Sequence, residues 1–307
     1  MPIVRVPIAG ASPAENLRAS LLMITSVACF MINDTIVKFV MQDMAPAQVM
    51  AVRGVMIAIF IFSIGWWKNA LPAPRLLLNK YLLIRAFGDS LTTLLYMIAL
   101  AHLPLANTTA IYQALPLAVT VGAALFLRES VGWRRWSATA VGFIGVVIIV
   151  RPGLEGFTMY SVFVLLSVLV SAIRDLVVHK LPKELSSLSV AGVTSTAIAL
   201  TGAAFLPFTG TTPISNPTYG LLFAAALLMG TANILMVAAL RIGDMGFVAP
   251  LRYASLIFAA ILGYLVFGDV PGKWEIIGSM IIVASGLYTF SRERRRNRLI
   301  LARTQAH

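Results

Sequence analysis

Charge is what this chain has least of. Of its 307 residues only 12% are Asp, Glu, Lys or Arg, roughly half the share carried by an ordinary soluble domain. Hydrophobic residues make up 59% and the mean hydropathy is +0.88. A water-soluble fold would have to expose much of that apolar surface, which soluble proteins avoid, so a soluble globular domain is excluded. Cysteine is nearly absent too. Cys29, the one cysteine, lies in an apolar run, so there is no intramolecular disulfide and no thiolate zinc cluster. It reads as a small core residue. The three histidines are His102, His179 and His307. They form no HExxH or comparable set, and no nucleophile–base arrangement stands out, so neither catalytic nor metal-ligating residues are expected. No GxxxxGK[ST] loop is present, which argues against direct ATP drive. No cofactor is expected.

What the chain does have is long apolar runs. A spanning helix needs about 20 mostly apolar residues. Runs fall near 19–40, 47–66, 82–101, 105–127, 136–150, 158–179, 187–208, 218–240, 246–268 and 274–290. The gaps are punctuated by Pro46, Pro72 with Pro74, Pro104, Pro152-Gly153, Pro182, Pro213 with Pro217, and Pro271-Gly272. The pattern predicts an all-α integral membrane protein of ten transmembrane helices. Residues 1–18 lack a compact apolar core with a cleavage site, and read as a cytoplasmic lead-in rather than a removed signal peptide. Residues 291–307 read as a basic cytoplasmic tail.

The net charge of +12 would suggest nucleic acid in a soluble protein. Its distribution argues otherwise. With the N-terminus inside, the cytoplasmic segments hold Arg5, Arg18, Lys68, Arg75, Lys80, Arg128, Arg134, Arg135, Lys180, Lys183, Arg241 and the arginines of the tail. The opposite loops hold only Arg151 and Lys273. That asymmetry follows the positive-inside rule for ten spans with both termini cytoplasmic. The basic residues are topology anchors in contact with anionic lipid, and no nucleic-acid partner is expected.

The chain also resembles itself at a spacing of about 140 residues. Asp34-Thr-Ile-Val-Lys38 matches Asp175-Leu-Val-Val-His179 at a shift of 141, and the remaining matches stand at 140. Ala99-Leu100 matches Ala239-Leu240, and Glu129 matches Asp269. Gly132 matches Gly272, and Ala138 with Gly145 matches Gly278 with Ser285. Five helices per repeat is an odd number, so the second repeat enters the membrane upside down. Residues 19–150 and 151–290 are thus expected to form two five-helix inverted-topology repeats, with a site between them near mid-membrane.

Several stretches resemble the drug/metabolite transporter superfamily and, within it, the EamA-type carriers. They are Asn33-Asp34 with Lys38, Leu103-Pro104-Leu105-Ala106, Arg128-Glu129, Gly142-Phe143-Ile144-Gly145-Val146 and Arg151-Pro152-Gly153. Ala249-Pro250-Leu251-Arg252-Tyr253 and Phe267-Gly268-Asp269-Val270-Pro271 complete them. The resemblance covers residues 19–290. It departs at Asp269, where such carriers usually have Glu. It implies transport of a metabolite such as an amino acid, a vitamin or a nucleoside derivative, without naming which.

Charged groups inside spans are costly, about 2.5–3.5 kcal/mol each at the centre of a helix, so they need partners or a wet cavity. Asp34 and Lys38 stand four apart, and form either an internal ion pair or, with Asp34 lining the cavity, a place that binds a cationic group or exchanges a proton. Arg85 and Asp89 repeat that spacing. Arg174 and Asp175 are adjacent, about 100° apart on a helix, and are not expected to pair on one face. Asp175 is expected to face the same central space as Asp34. Arg53 is expected to pair with Asp34 or Asp89 across helices. Arg252 follows Pro250, where a broken helix exposes carbonyls able to hold a substrate group. The resemblance adds Tyr96, Tyr112, Gln113, Asn107, Asn233 and Tyr253 on the central helices, a set suited to a flat amphipathic compound.

The sequence reading is therefore a multi-pass protein of the bacterial inner membrane, monomer or homodimer, that moves a small-molecule substrate by alternating access. Proton or ion coupling would run through Asp34, Asp89 and Asp175. A lipid-linked substrate flippase is the alternative, and an intramembrane enzyme a remoter one.

Overall fold

The computed structural model describes residues 12–67, 79–126, 132–151, 157–177 and 187–305. Lys68, Arg75, Arg128, Glu129, Pro152-Gly153, His179, Lys180 and Lys183 lie outside the described residues, as do the side chains of the tail arginines.

The described chain is helical, without strands. Ten helices run in order: α1 (Pro13–Val40), α2 (Pro46–Trp67), α3 (Lys80–His102), α4 (Leu105–Phe126), α5 (Trp133–Val150), α6 (Met159–Val177), α7 (Ser187–Thr209), α8 (Asn216–Ile242), α9 (Ala249–Phe267) and α10 (Lys273–Gln305). The first nine are each long and apolar enough to cross a membrane. Local chemistry sets their ends. Ser12 and Glu15 form a reciprocal capping box on α1. Asn79 and Ser215 cap α3 and α8. Leu103-Pro104 turns the chain sharply from α3 into α4, and Gly268 in a left-handed conformation (φ 71°) ends α9. Large apolar side chains face outward along the helices: Phe208 is 84% exposed and Leu265 70%, a surface fit for lipid rather than water.

The structure departs from the sequence expectation in three places, the first being that α1 begins at Pro13, inside the expected lead-in of residues 1–18, because the Ser12–Glu15 capping box starts the helix there. The last helix does not stop at residue 290 but continues to Gln305, so the basic tail is a helical extension of α10. The ninth span is not one regular helix either: a turn at Met245–Val248 precedes a 3-10 segment at Ala249–Ala254, an α-helix at Ser255–Leu262 and a π-turn at Gly263–Phe267.

Packing reveals the repeat. α1 lies along α8, and α3 along α6; α4 lies against α6, and α9 against α1; α3 touches α7, and α8 touches α2. Exchanging each helix for the one five places on turns each of these pairs into its partner. The same exchange returns α2·α7 and α5·α10 onto themselves. The symmetry holds at atomic detail between α5 and α10. Ser285 Oγ donates to the Ala138 carbonyl at 2.5 Å. A Cβ on Gly145 would meet the Gly278 carbonyl oxygen at 2.8 Å, and one on Gly278 the Gly145 carbonyl oxygen at 2.6 Å. Ala138 repeats as Gly278 and Gly145 as Ser285, so the two contacts are images of each other. Close approach through small residues is how helices associate where lipid removes the hydrophobic drive.

The equivalent helices are broken at equivalent places. α4 is interrupted at Gln113 and Ala114 and restarts at Leu115. The 3-10 segment of α9 ends at Ala254, and regular helix restarts at Ser255, about 140 residues on. Pro116 and Pro250 each lack an N–H for the preceding turn, which frees a carbonyl in each helix.

Candidate functional site

The polar groups inside the bundle are organised by α3. Arg85, Asp89, Thr92, Tyr96, Leu100 and Leu103 follow one another at steps of three and four, so they occupy one face of the helix. The polar side chains of this face, Arg85 to Tyr96, rise about 17 Å, roughly half the apolar thickness of a bilayer of about 30 Å; beyond them Leu100 and Leu103 are buried apolar side chains whose carbonyls alone take part. Each position on it meets a partner. We call the side of the bundle where α1 begins the near face, and the opposite side the far face.

Toward the near face, Arg174 of α6 reaches Asp89 in a short ion pair. It also donates from Nε (3.0 Å) and Nη2 (2.8 Å) to Asp175 Oδ1. Arg85 stands 3.7 Å from the other Asp89 oxygen. Two acids and two arginines thus neutralise each other. This corrects the expectation that Arg174 and Asp175 stay apart: the guanidinium is long enough to fold back on its neighbour while holding α3. Gly88 makes room for this, because a Cβ there would stand 3.2 Å from that of Arg174.

One turn further along, Ser171 Oγ donates to Thr92 Oγ1 at 3.2 Å and shares a hydrogen bond of 3.0 Å with the Tyr112 hydroxyl. The Tyr112 ring meets that of Tyr96 edge-on, with centroids 5.1 Å apart. The Tyr96 hydroxyl donates to Asp34 Oδ2 at 2.8 Å. Asn33 Nδ2 donates to Asp34 Oδ1 at 2.9 Å and accepts on its own oxygen from Arg53 Nη1 at 3.0 Å. Arg53 therefore binds neither Asp34 nor Asp89 directly, as the sequence reading had it. Asn33 stands between.

At the far face Lys38 does not pair with Asp34. Its ammonium donates to the carbonyls of Leu100 (3.0 Å) and Leu103 (2.6 Å) and sits 5.2 Å from the Phe267 ring centre. A cation over the last carbonyls of α3 is favoured by the helix dipole as well as by the hydrogen bonds, which is why the i, i+4 partner loses.

The other candidates divide. Gln113, at the break in α4, donates to the Arg252 carbonyl (3.0 Å) and to Ser255 Oγ (2.6 Å) at the break in α9. It clasps the two broken helices together. Tyr253 is buried against α10, and its hydroxyl has no hydrogen-bond partner among the described residues. Its ring fills the space that Gly286 leaves open. Asn107 Oδ1 is likewise buried without a partner there. The Arg252 side chain is exposed. Asn233 is exposed and donates to the Met229 carbonyl of its own helix at 2.8 Å, so it does not join the others. The sequence reading overlooked Thr92 and Ser171. Their signal was available for Thr92 in its register with Asp89 and Tyr96, but Ser171 is one of many serines.

Comparison with known proteins places this arrangement. The EamA-like transporter family model matches residues 17–151 and again 158–291. The chain belongs to this family. It is a family of transporters, not enzymes, and its paired match fits the doubled fold seen here. An S-adenosylmethionine uptake transporter of Rickettsia prowazekii is 27% identical over 86% of this chain and 89% of its own. A riboflavin transporter of Vibrio cholerae is 30% identical over 70% of this chain and 73% of its own. A pseudopaline exporter of Pseudomonas aeruginosa is 28% identical over 66% and 72%. A protein crystal structure with a TM-score of 0.60 and 17% identity covers 91% of this chain and 98% of its own, and shares the fold. This EamA chain is thus a multi-pass membrane protein whose named relatives carry small metabolites.

Proposed function

We propose that this EamA protein is a secondary carrier that moves a small, flat, amphipathic metabolite by alternating access. It sits in the bacterial cytoplasmic membrane with both termini inside, and its substrate lies between the tyrosine pair and the acids on either side of it. The observation that carries the reading is the row of polar side chains on α3, Arg85 to Tyr96, which meets Asp34, Tyr112 and Arg174 inside an apolar bundle of two quasi-equivalent halves. Two such halves can open to either side at similar energy. Asp34, Asp89 and Asp175 are the groups through which a proton or an ion would be coupled. The relatives named for S-adenosylmethionine and riboflavin point to ring-bearing substrates.

A flippase finds less support. The cleft of about 570 Å³ between α2 and α7 is lined by Val55, Ile59, Phe62, Trp66 and Leu200 among others, its polar groups are the hydroxyls of Ser63 and Thr196, and it offers no charged side chain to a lipid head group.

The test is uptake by the purified protein in liposomes, with radiolabelled riboflavin and S-adenosylmethionine tried first. Transport of either compound, reduced at least about tenfold in Tyr112→Ala, is the expected result. Uptake indifferent to Tyr112, Tyr96 and every intramembrane charge would remove the site from where it is drawn.

A further inference from the structure

The internal repeat makes an asymmetry visible. Asp34 and Asp175 are counterparts. The residue before each is therefore a counterpart too, and here the halves differ: Arg174 precedes Asp175 and Asn33 precedes Asp34. Both preceding side chains do the same thing, donating a hydrogen bond to their neighbour's Oδ1, Arg174 Nη2 at 2.8 Å and Asn33 Nδ2 at 2.9 Å. In the second half that donor brings a positive charge. In the first it does not.

Asp34 accordingly takes its hydrogen bonds from neutral groups, the Asn33 amide and the Tyr96 hydroxyl. Among the described residues no cation comes within ion-pair distance of it. Arg53, the basic group that acts on it through space, spends its hydrogen bond on Asn33. A carboxylate offers about four acceptor positions, so Asp34 has capacity left. An ionised carboxylate inside a membrane protein is costly unless something positive meets it. Beside it stand Tyr96 and, edge-on to Tyr96 at 5.1 Å, Tyr112. Aromatic faces next to a carboxylate are the surroundings an organic cation favours.

We infer that Asp34 is the subsite for a positively charged group on the substrate, an ammonium or sulfonium carried beside a flat ring. The charge that Arg174 supplies permanently to the second half is supplied to the first half by the ligand. The cluster of Arg85, Asp89, Arg174 and Asp175 is already neutral and holds α3 to α6 instead. This inference rests on the carrier reading above.

The matched probes are S-adenosylmethionine, which carries a sulfonium, and S-adenosylhomocysteine, its uncharged thioether; riboflavin is the neutral control. Binding to the purified full-length protein is followed by thermal shift and by equilibrium dialysis. The expected result is that the sulfonium compound binds at least about tenfold tighter than the thioether, the worth of one charge-assisted contact. Asp34→Asn should abolish that preference, and Asp34→Glu restore part of it. Asn keeps an acceptor for Tyr96, and the ligand-free melting temperature of each variant shows that it is folded. Equal binding of the two compounds by the wild type, or a preference that survives Asp34→Asn, overturns the inference. Binding of riboflavin alone also overturns it while leaving the carrier reading intact. Binding of none of the three overturns the inference as well, and leaves the carrier reading to the transport assay.

Discussion

Single side chains decide which intramembrane charges are structural. Arg174 holds Asp89 and Asp175 at once, and removing it leaves the buried Asp89 with only Arg85 at 3.7 Å and takes from Asp175 its counter-ion. Arg174→Gln should therefore cost roughly 3–5 kcal/mol, the range for an orphaned partner of a buried pair, read as a lower melting temperature in detergent. Tyr96→Phe takes one neutral donor from Asp34 and should cost less, about 1–3 kcal/mol, in the same measurement. The sequence marked every one of these residues except Thr92 and Ser171. What it could not mark was partnership. Spacing paired Asp34 with Lys38, yet Lys38 is drawn to the carbonyl end of α3. Adjacency separated Arg174 from Asp175, yet a flexible guanidinium closes the gap.

Among the helices, close packing depends on a few glycines. A Cβ on Gly202 would stand 2.5 Å from the Ala51 backbone nitrogen and 2.6 Å from the Ala47 carbonyl oxygen. Backbone cannot yield as a side chain can, so Gly202→Ala should spread α2 from α7 and lower stability by about 1–3 kcal/mol. Gly220 is the internal control: a Cβ there meets nothing within 4 Å. Gly220→Ala should be neutral, or stabilising by about 0.5–1 kcal/mol through helix propensity. Thermal melting of the two variants side by side distinguishes contact from propensity. Apolar periodicity was enough to find ten helices, because a run of that length and hydropathy has no other stable environment. Pro250 marked the break in α9, but nothing marked the one in α4, and a proline announces only a freed carbonyl and not the side chain, here Gln113, that comes to meet the other helix.

For the whole molecule the expectation concerns direction. Ten crossings put both ends on one side, and the odd number within each half turns the second against the first. Cysteines placed one at a time at Asp43, Thr212 and Gly132 of a Cys29→Ser background test this with an impermeant thiol reagent on intact cells; all three positions are exposed, and a Cβ at Gly132 meets nothing within 4 Å. Asp43 and Thr212 should label from the outside, and Gly132 only after the membrane is opened. Labelling of Gly132 from outside would reverse the orientation.

Composition alone placed the chain in lipid, because so little charge over so much apolar surface leaves no other solvent. Its ten runs and the self-similarity at about 140 residues supplied the doubled architecture, which the packing of α5 on α10 repeats contact for contact. Only the tertiary structure decided how the buried charges are shared out. Ion pairs form between helices as readily as along them, and distance in sequence does not record distance in space. That is why Asp175 has a directly hydrogen-bonded counter-ion in Arg174, whereas Asp34 is reached by Arg53 only through Asn33.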